Sequence, residues 1–248
     1  MFNARLARQA WCRHNGFSAA LQARFEAWIE MHEEDRGITA QVSGDELEVN
    51  ILDVIGYDWW TGGGITTKEV KATLDEAGEV RSIRAIVDSP GGSVFDGIGI
   101  HNLFRRHAAY VTIEVVGLAA SAASVISMSG DEVQMHVGTE MMIHQASGMT
   151  WGNADDHDET AKALRSIDTS LVEIYANKTS KGEEDIAALL KAETWMTATE
   201  AVKDGFATKV IRESGTKKKT TASARPNAQS PSRPTAQAKG YRPLRGLL

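Results

Sequence analysis

A chain of 248 residues, 42% hydrophobic and 24% charged, can bury a sizeable core without staples. A single cysteine, Cys12, excludes an internal disulfide framework and points to a reducing compartment. With no apolar run near the roughly 18 residues of a membrane span, and no apolar stretch behind the N-terminal arginines, cytoplasmic residence is expected. The net charge of −6 is uneven: residues 213–248 hold four Lys and four Arg against one acid, leaving the rest of the chain at −13.

In chain order, residues 1–36 form an N-terminal extension. Phe17, Leu21, Phe25, Trp28 and Ile29 recur there at helical spacing, predicting an amphipathic helix that packs on the main domain or a neighbouring subunit, or serves as a removable leader. Residues 37–212 carry the regular patterns. Leu47–Leu52 alternates like a strand, and the turn-rich IGYDWWTGGG follows at 55–64. Thr66 or Thr67 can cap a helix to about Ala77, with Glu69 at a capping-box position and Gly78 ending it. Ile83–Val87 is a short apolar strand, Ser89-Pro-Gly-Gly-Ser93 a turn, and Val94–Arg106 a helix with Ile98, Leu103 and Phe104 inward.

A strand at 110–116 then leads to Gly117, where a sharp turn is expected, and to a helix of small residues. Short strands follow at 132–135 and 141–144, and a long helix begins near Ala154. Leu164, Ile167, Leu171, Ile174 and Tyr175 share one face of it, its first half is polar, and Gly182 breaks it. A short helix at 185–190, another from Thr197 and a strand near 207–211 complete the domain. The β-α-β-α-β-α alternation argues for an α/β fold with parallel strands and helical crossovers. The tail, 213–248, is basic, rich in Pro, Ser and Thr, and too poor in large apolar residues to fold alone; it is expected to be disordered.

Four places can carry chemistry. Ser121 sits among Ala119, Ala120, Ala122 and Ala123, where a carbonyl can approach and helix N–H groups favour negative charge. The glycines of Ser89-Pro-Gly-Gly-Ser93 let backbone N–H groups approach a ligand; the N–H of Gly92 and that of Ala122 could together form an oxyanion hole. His144 ends an apolar strand just before small residues. His14, His32, His101, His107 and His157 read as surface, and His136 has no carboxylate or serine beside it in sequence. Glu193 precedes a Trp and a new helix, where an acid could orient a histidine.

The blocks DSPGGSVFDGIGIHNLF (88–104), GLAASAASVISMSGDEV (117–133), MMIHQASG (141–148) and ETWMTATEAVKDGFATKV (193–210) occur in the order seen in the Clp protease proteolytic subunit (ClpP) family, which this chain resembles from about Leu47 to Val210. The loop IGYDWWTGGG points to the family's bacteriophage branch, the head maturation (prohead) proteases. The resemblance implies a ClpP/crotonase-like fold of repeated β-β-α units with a protruding handle helix, here the helix from about Ala154. It assigns Ser121 as nucleophile, His144 as general base, Gly92 and Ala122 N–H as oxyanion donors, and Glu193 where the housekeeping enzyme has an aspartate.

The implied activity is serine endopeptidase cleavage through an acyl-enzyme, with no metal and no organic cofactor. The implied substrates are scaffold or capsid proteins in an assembling head inside the bacterial host cytoplasm, and the termini of the chain itself. A ring-forming homo-oligomer is expected, with no membrane partner. Three alternatives stand beside this: a general ClpP-type protease working with a host ATPase unfoldase, a crotonase-type acyl-CoA enzyme, and a non-proteolytic scaffold or capsid-associated protein contacting nucleic acid through its basic tail.

Overall fold

The computed structural model describes residues 37–57 and 63–212, together with Ala19 and Ala23, which are helical and exposed. The remainder of the expected N-terminal helix, residues 58–62 of the 55–64 loop and the whole basic tail lie outside the described residues.

The first pair of strands is an antiparallel hairpin, β1 (Ile38–Ser43) and β2 (Glu46–Ile51), turning at Gly44-Asp45, where Gly44 takes φ 61°. The sequence pattern marks only β2, because β1 is exposed on nearly every residue and has no clear alternation. Helix α1 (Thr67–Ala77) starts with the expected capping box: the Thr66 side chain accepts from the Glu69 N–H, and the Glu69 carboxylate accepts from the Thr66 N–H. Strand β3 (Ser82–Ser89), helix α2 (Val94–Arg106) and strand β4 (Tyr110–Ala120) follow in turn. Ser93 caps α2 by accepting from the Asp96 N–H.

Helix α3 (Ala122–Ser127) is short, and strands β5 (Glu132–His136) and β6 (Glu140–Ile143) come after it. The long helix is α4 (Ala154–Lys178), capped by Asn153. It stops at Thr179 rather than at Gly182, which instead opens α5 (Glu183–Lys191). Strand β7 (Thr194–Thr197), helix α6 (Ala198–Lys203) and strand β8 (Lys209–Ile211) end the described part.

The strands form one mixed sheet in the order β1-β2-β3-β4-β5-β8, with β6 and β7 branching from β4. The run β2-β3-β4-β5-β8 is parallel throughout, as the alternating pattern predicted. Strands that advance one place at a time, with right-handed crossovers, put the connecting helices on one face. Burial alternates accordingly: Leu47, Val49, Ile51, Ile83, Ala85, Val87, Ile113 and Val115 are buried against the helices. The opposite face carries a charged ladder, in which Arg84 reaches Glu48 and Glu114, and Glu114 Oε1 lies 2.7 Å from His136 Nε2. Thus His136, which has no acidic neighbour in sequence, has one across the sheet. Among the described residues no helix is long and apolar enough to cross a membrane.

Strand β4 changes partners along its length. Thr112–Val115 pair with β5, whereas Leu118–Ala120 pair with β6. The strand therefore runs on through Gly117 to Ala120, and the sharp turn expected at Gly117 is absent. Glycine is needed there for a different reason: a Cβ would lie 2.5 Å from Asp88 Oδ1, the same carboxylate oxygen that accepts the Leu118 N–H at 2.8 Å. This contact bridges the register shift between β3 and β4.

Candidate active site

Three strand ends converge at one place. Strands β4 and β6 run parallel with Ala120 opposite Met142, and the Ser121 N–H donates to the Met142 carbonyl at 2.9 Å. Ser121 leaves β4 and His144 leaves β6 on the same side, at the carboxyl ends of the strands, where α/β sheets open their crevices. Strand β7 pairs antiparallel with β6, ending at Ile143 opposite Thr194. Glu193 is the residue just before β7, and its charge acts on His144. Strand pairing thus brings together segments 23 and 49 positions apart in sequence.

Ser121 itself makes the turn. Its backbone sits at φ 54°, ψ −123°, a conformation costly for a residue with a Cβ, and it is the N-cap of α3. Its hydroxyl lies 2.8 Å from His144 Nε2. Its carbonyl is held by Ser124, whose N–H donates at 2.9 Å and whose hydroxyl donates at 2.6 Å. Since the Ser124 proton is used there, the Tyr175 hydroxyl donates to Ser124 Oγ, at 2.7 Å. Complete burial pushes the Tyr175 phenol well above its usual range. Ser124 is therefore a packing and anchoring residue one helical turn from Ser121.

His144 is held below the ordinary imidazole value of 6.5, mainly by burial; the charges of Glu193 and, more weakly, Asp168 pull the other way. The imidazole is neutral at pH 7, so Nε2 can accept the Ser121 proton. Glu193 is in the left-handed region at φ 49°, and its Oε1 accepts from the Trp195 indole N–H at 3.3 Å. The segment after His144 is fixed twice: Gln145 N–H donates to the Leu190 carbonyl at 3.1 Å, and Ala146 N–H to Asp168 Oδ1 at 2.7 Å. Asp168 was not among the expected residues, and no local signal marks it, because it lies 24 positions beyond His144 on α4.

The Ser-Pro-Gly-Gly-Ser turn is stitched to residues 53–55. Ser89 Oγ donates to the Asp53 carbonyl at 2.6 Å, Ile55 N–H to Gly91 O at 2.8 Å, and Ser93 N–H to Ile55 O at 2.7 Å. Both glycines have positive φ, 89° at Gly91 and 146° at Gly92. A Cβ on Gly91 would lie 2.7 Å from Ser121 Cβ and 2.8 Å from Ala122 N; one on Gly92 would lie 2.2 Å from Ile55 O. Gly91 therefore lies close against the serine, and Gly92 follows it across one peptide. Ala122 opens α3, so its N–H has no intrahelical acceptor.

A neutral imidazole accepting from a serine at a strand-to-helix turn, with backbone N–H groups close by, can run nucleophilic acyl transfer. No cluster of His, Cys, Asp and Glu suited to a metal ion occurs among the described residues.

The Clp protease family pattern matches residues 68–214, more than half of the chain and all three converging strand ends. The chain belongs to the Clp protease family. As a member it is a serine-type endopeptidase of the ClpP kind. The ATP-dependent Clp protease proteolytic subunit 1 of Protochlamydia amoebophila is 30% identical over 196 residues, covering 75% of this chain and 94% of that one. The ATP-dependent Clp protease proteolytic subunit of Deinococcus radiodurans is 31% identical over 140 residues, covering 56% and 69%. A solved structure, a ClpP1 mutant from Listeria monocytogenes, superposes with a TM-score of 0.58 at 21% identity, over 67% of this chain and 92% of that one. At that identity the likeness is one of fold: the mixed α/β arrangement described above is the ClpP fold.

Proposed function

We propose that peptide bonds are cleaved by Ser121 as nucleophile with His144 as general base, and that the substrates are the scaffold or capsid proteins of an assembling phage head. The observation that carries the chemistry is the 2.8 Å contact between Ser121 Oγ and His144 Nε2 at the strained turn. In the first step His144 Nε2 takes the Ser121 proton as Oγ attacks the carbonyl carbon. The oxyanion is met by the N–H groups of Gly92 and Ala122. The imidazolium, favoured by Glu193, then protonates the departing amine. Water, deprotonated by His144, attacks the acyl-enzyme and releases Ser121.

The prohead role rests on the loop IGYDWWTGGG at 55–64 and on the long terminal segments, 1–36 and 213–248, beyond the domain at 37–212. Those segments would be self-cleavage products or capsid-docking pieces, and the work would be done in the host cytoplasm. The mostly exposed first half of α4 supports a homo-oligomer, with rings as the family precedent. A second reading, a general protease working with a host ATPase, is favoured by the relatives, which are named as ATP-dependent Clp protease subunits.

Incubation of wild type and Ser121→Ala with the capsid and scaffold proteins encoded beside it, read by gel and mass spectrometry, tests the substrate. Cleavage by wild type alone is expected. Equal cleavage by both would overturn the mechanism, and cleavage only when a host unfoldase and ATP are added would favour the second reading.

A further inference from the structure

We propose that Asp168, on α4, is a positioning residue for the general base: its carboxylate clamps the segment that leaves β6 and presents a second negative charge to His144. This rests on the reading of Ser121 and His144 as nucleophile and base.

Three observations place it there. Asp168 Oδ1 accepts the Ala146 N–H at 2.7 Å, two residues past the histidine. Oδ2 accepts the Gln145 side-chain amide at 3.0 Å, so both oxygens engage consecutive residues of one segment. Residues 144–153 have no strand or helix of their own, so this link and the Gln145 N–H bond to Leu190 hold what a ladder would otherwise hold. A charge-assisted bond of this length is roughly twice as strong as a neutral one.

The charges that act on His144 come from two elements, Glu193 ahead of β7 and Asp168 on α4. Both oppose the effect of burial and favour the imidazolium that forms when Ser121 attacks. The second carboxylate raises the basicity of His144. It also ties the base to α4, the helix whose Tyr175 anchors the Ser121 carbonyl through Ser124. Asp168 and Tyr175 are two helical turns apart and lie on the same face.

The test needs no knowledge of the natural substrate. The rate at which a fluorophosphonate labels Ser121 is measured against pH on the full chain, for wild type, Asp168→Asn and Asp168→Glu. The asparagine can still accept from Ala146 but has lost the charge. Its imidazolium is less favoured, so the acid limb moves to lower pH. The plateau rate falls about tenfold, because a weaker base takes the serine proton. Asp168→Glu keeps the charge and restores most of the rate. A purely structural carboxylate would leave the pH profile where it was.

An Asp168→Asn profile identical to wild type in rate and midpoint overturns the proposal while leaving Ser121 and His144 intact. Labelling of wild type away from Ser121 would instead overturn the reading beneath it. Amide hydrogen exchange on wild type gives an independent measurement that does not depend on how any variant folds. The Ala146 amide is expected to be strongly protected, and exchange at the rate of an open loop would overturn the clamp.

Discussion

Ser121 turns the chain at φ 54° although it carries a Cβ. Such a backbone stores about 1–3 kcal/mol that a residue without Cβ would not. Ser121→Gly should therefore raise the unfolding free energy by about 1 kcal/mol over Ser121→Ala, measured by denaturant melts, with both inactive. Equal stabilities would mean that the turn is unstrained.

At His144 the sign is set by burial, which lowers its folded-state value below the 6.5 of a free imidazole. The imidazole stays neutral, and the acid limb of activity should lie below that of a free histidine. The same group contributes stability above pH 6.5 that is lost as pH falls through the folded value, because the unfolded chain binds the proton first. A pH–rate profile with its acid midpoint above 6.5 would contradict this assignment. The small residues around Ser121 mark it in the sequence, whereas its turn has no such mark, since the chain passes Gly117 extended; Glu193→Gln, at the proposed third member, should lower the labelling rate of Ser121 by about a hundredfold.

At the scale of elements, the parallel β-α-β pattern and the capping boxes could be read directly, because periodicity and Thr-x-x-Glu spacing are local. The branching of β4 could not, since nothing within one strand says that its two halves pair with different neighbours. Yet that branch delivers Ser121 beside His144. Tight packing of α2 against α3 then positions the Ala122 N–H. A Cβ on Gly97 would fall 3.0 Å from Ala122 Cβ and 3.1 Å from Ala122 O, closer than comfortable contact. Gly97→Ala should push the start of α3 by a few tenths of an ångström and slow Ser121 labelling by about tenfold, with only a small change in melting temperature. Thr197→Ala, which removes the α6 capping box at the end of β7 remote from Glu193, is the matched control: about 1 kcal/mol less stable, with an unchanged labelling rate. If both variants lose the same stability and the same activity, the α2–α3 contact has no special role.

For the whole molecule, four sequence blocks in a fixed order conveyed the family, and the fold followed from it. Spacing cannot convey the long-range contacts of α4, whose Asp168 and Tyr175 reach opposite partners of the candidate pair from one helix face. The exposed start of α4 predicts self-association: sedimentation of the purified protein should show an oligomer, and a monomer at micromolar concentration would remove the proposed ring. Self-processing would appear as truncated termini in wild type and intact ones in Ser121→Ala, read by intact mass. Everything proposed for the site depends on Ser121 being the nucleophile and His144 its activator, and site-resolved fluorophosphonate labelling by mass spectrometry tests that pair without a natural substrate. A single adduct on Ser121 is expected in wild type, none in Ser121→Ala and a rate at least about a hundredfold lower in His144→Ala. An adduct on another residue, or undiminished labelling after either substitution, would contradict it.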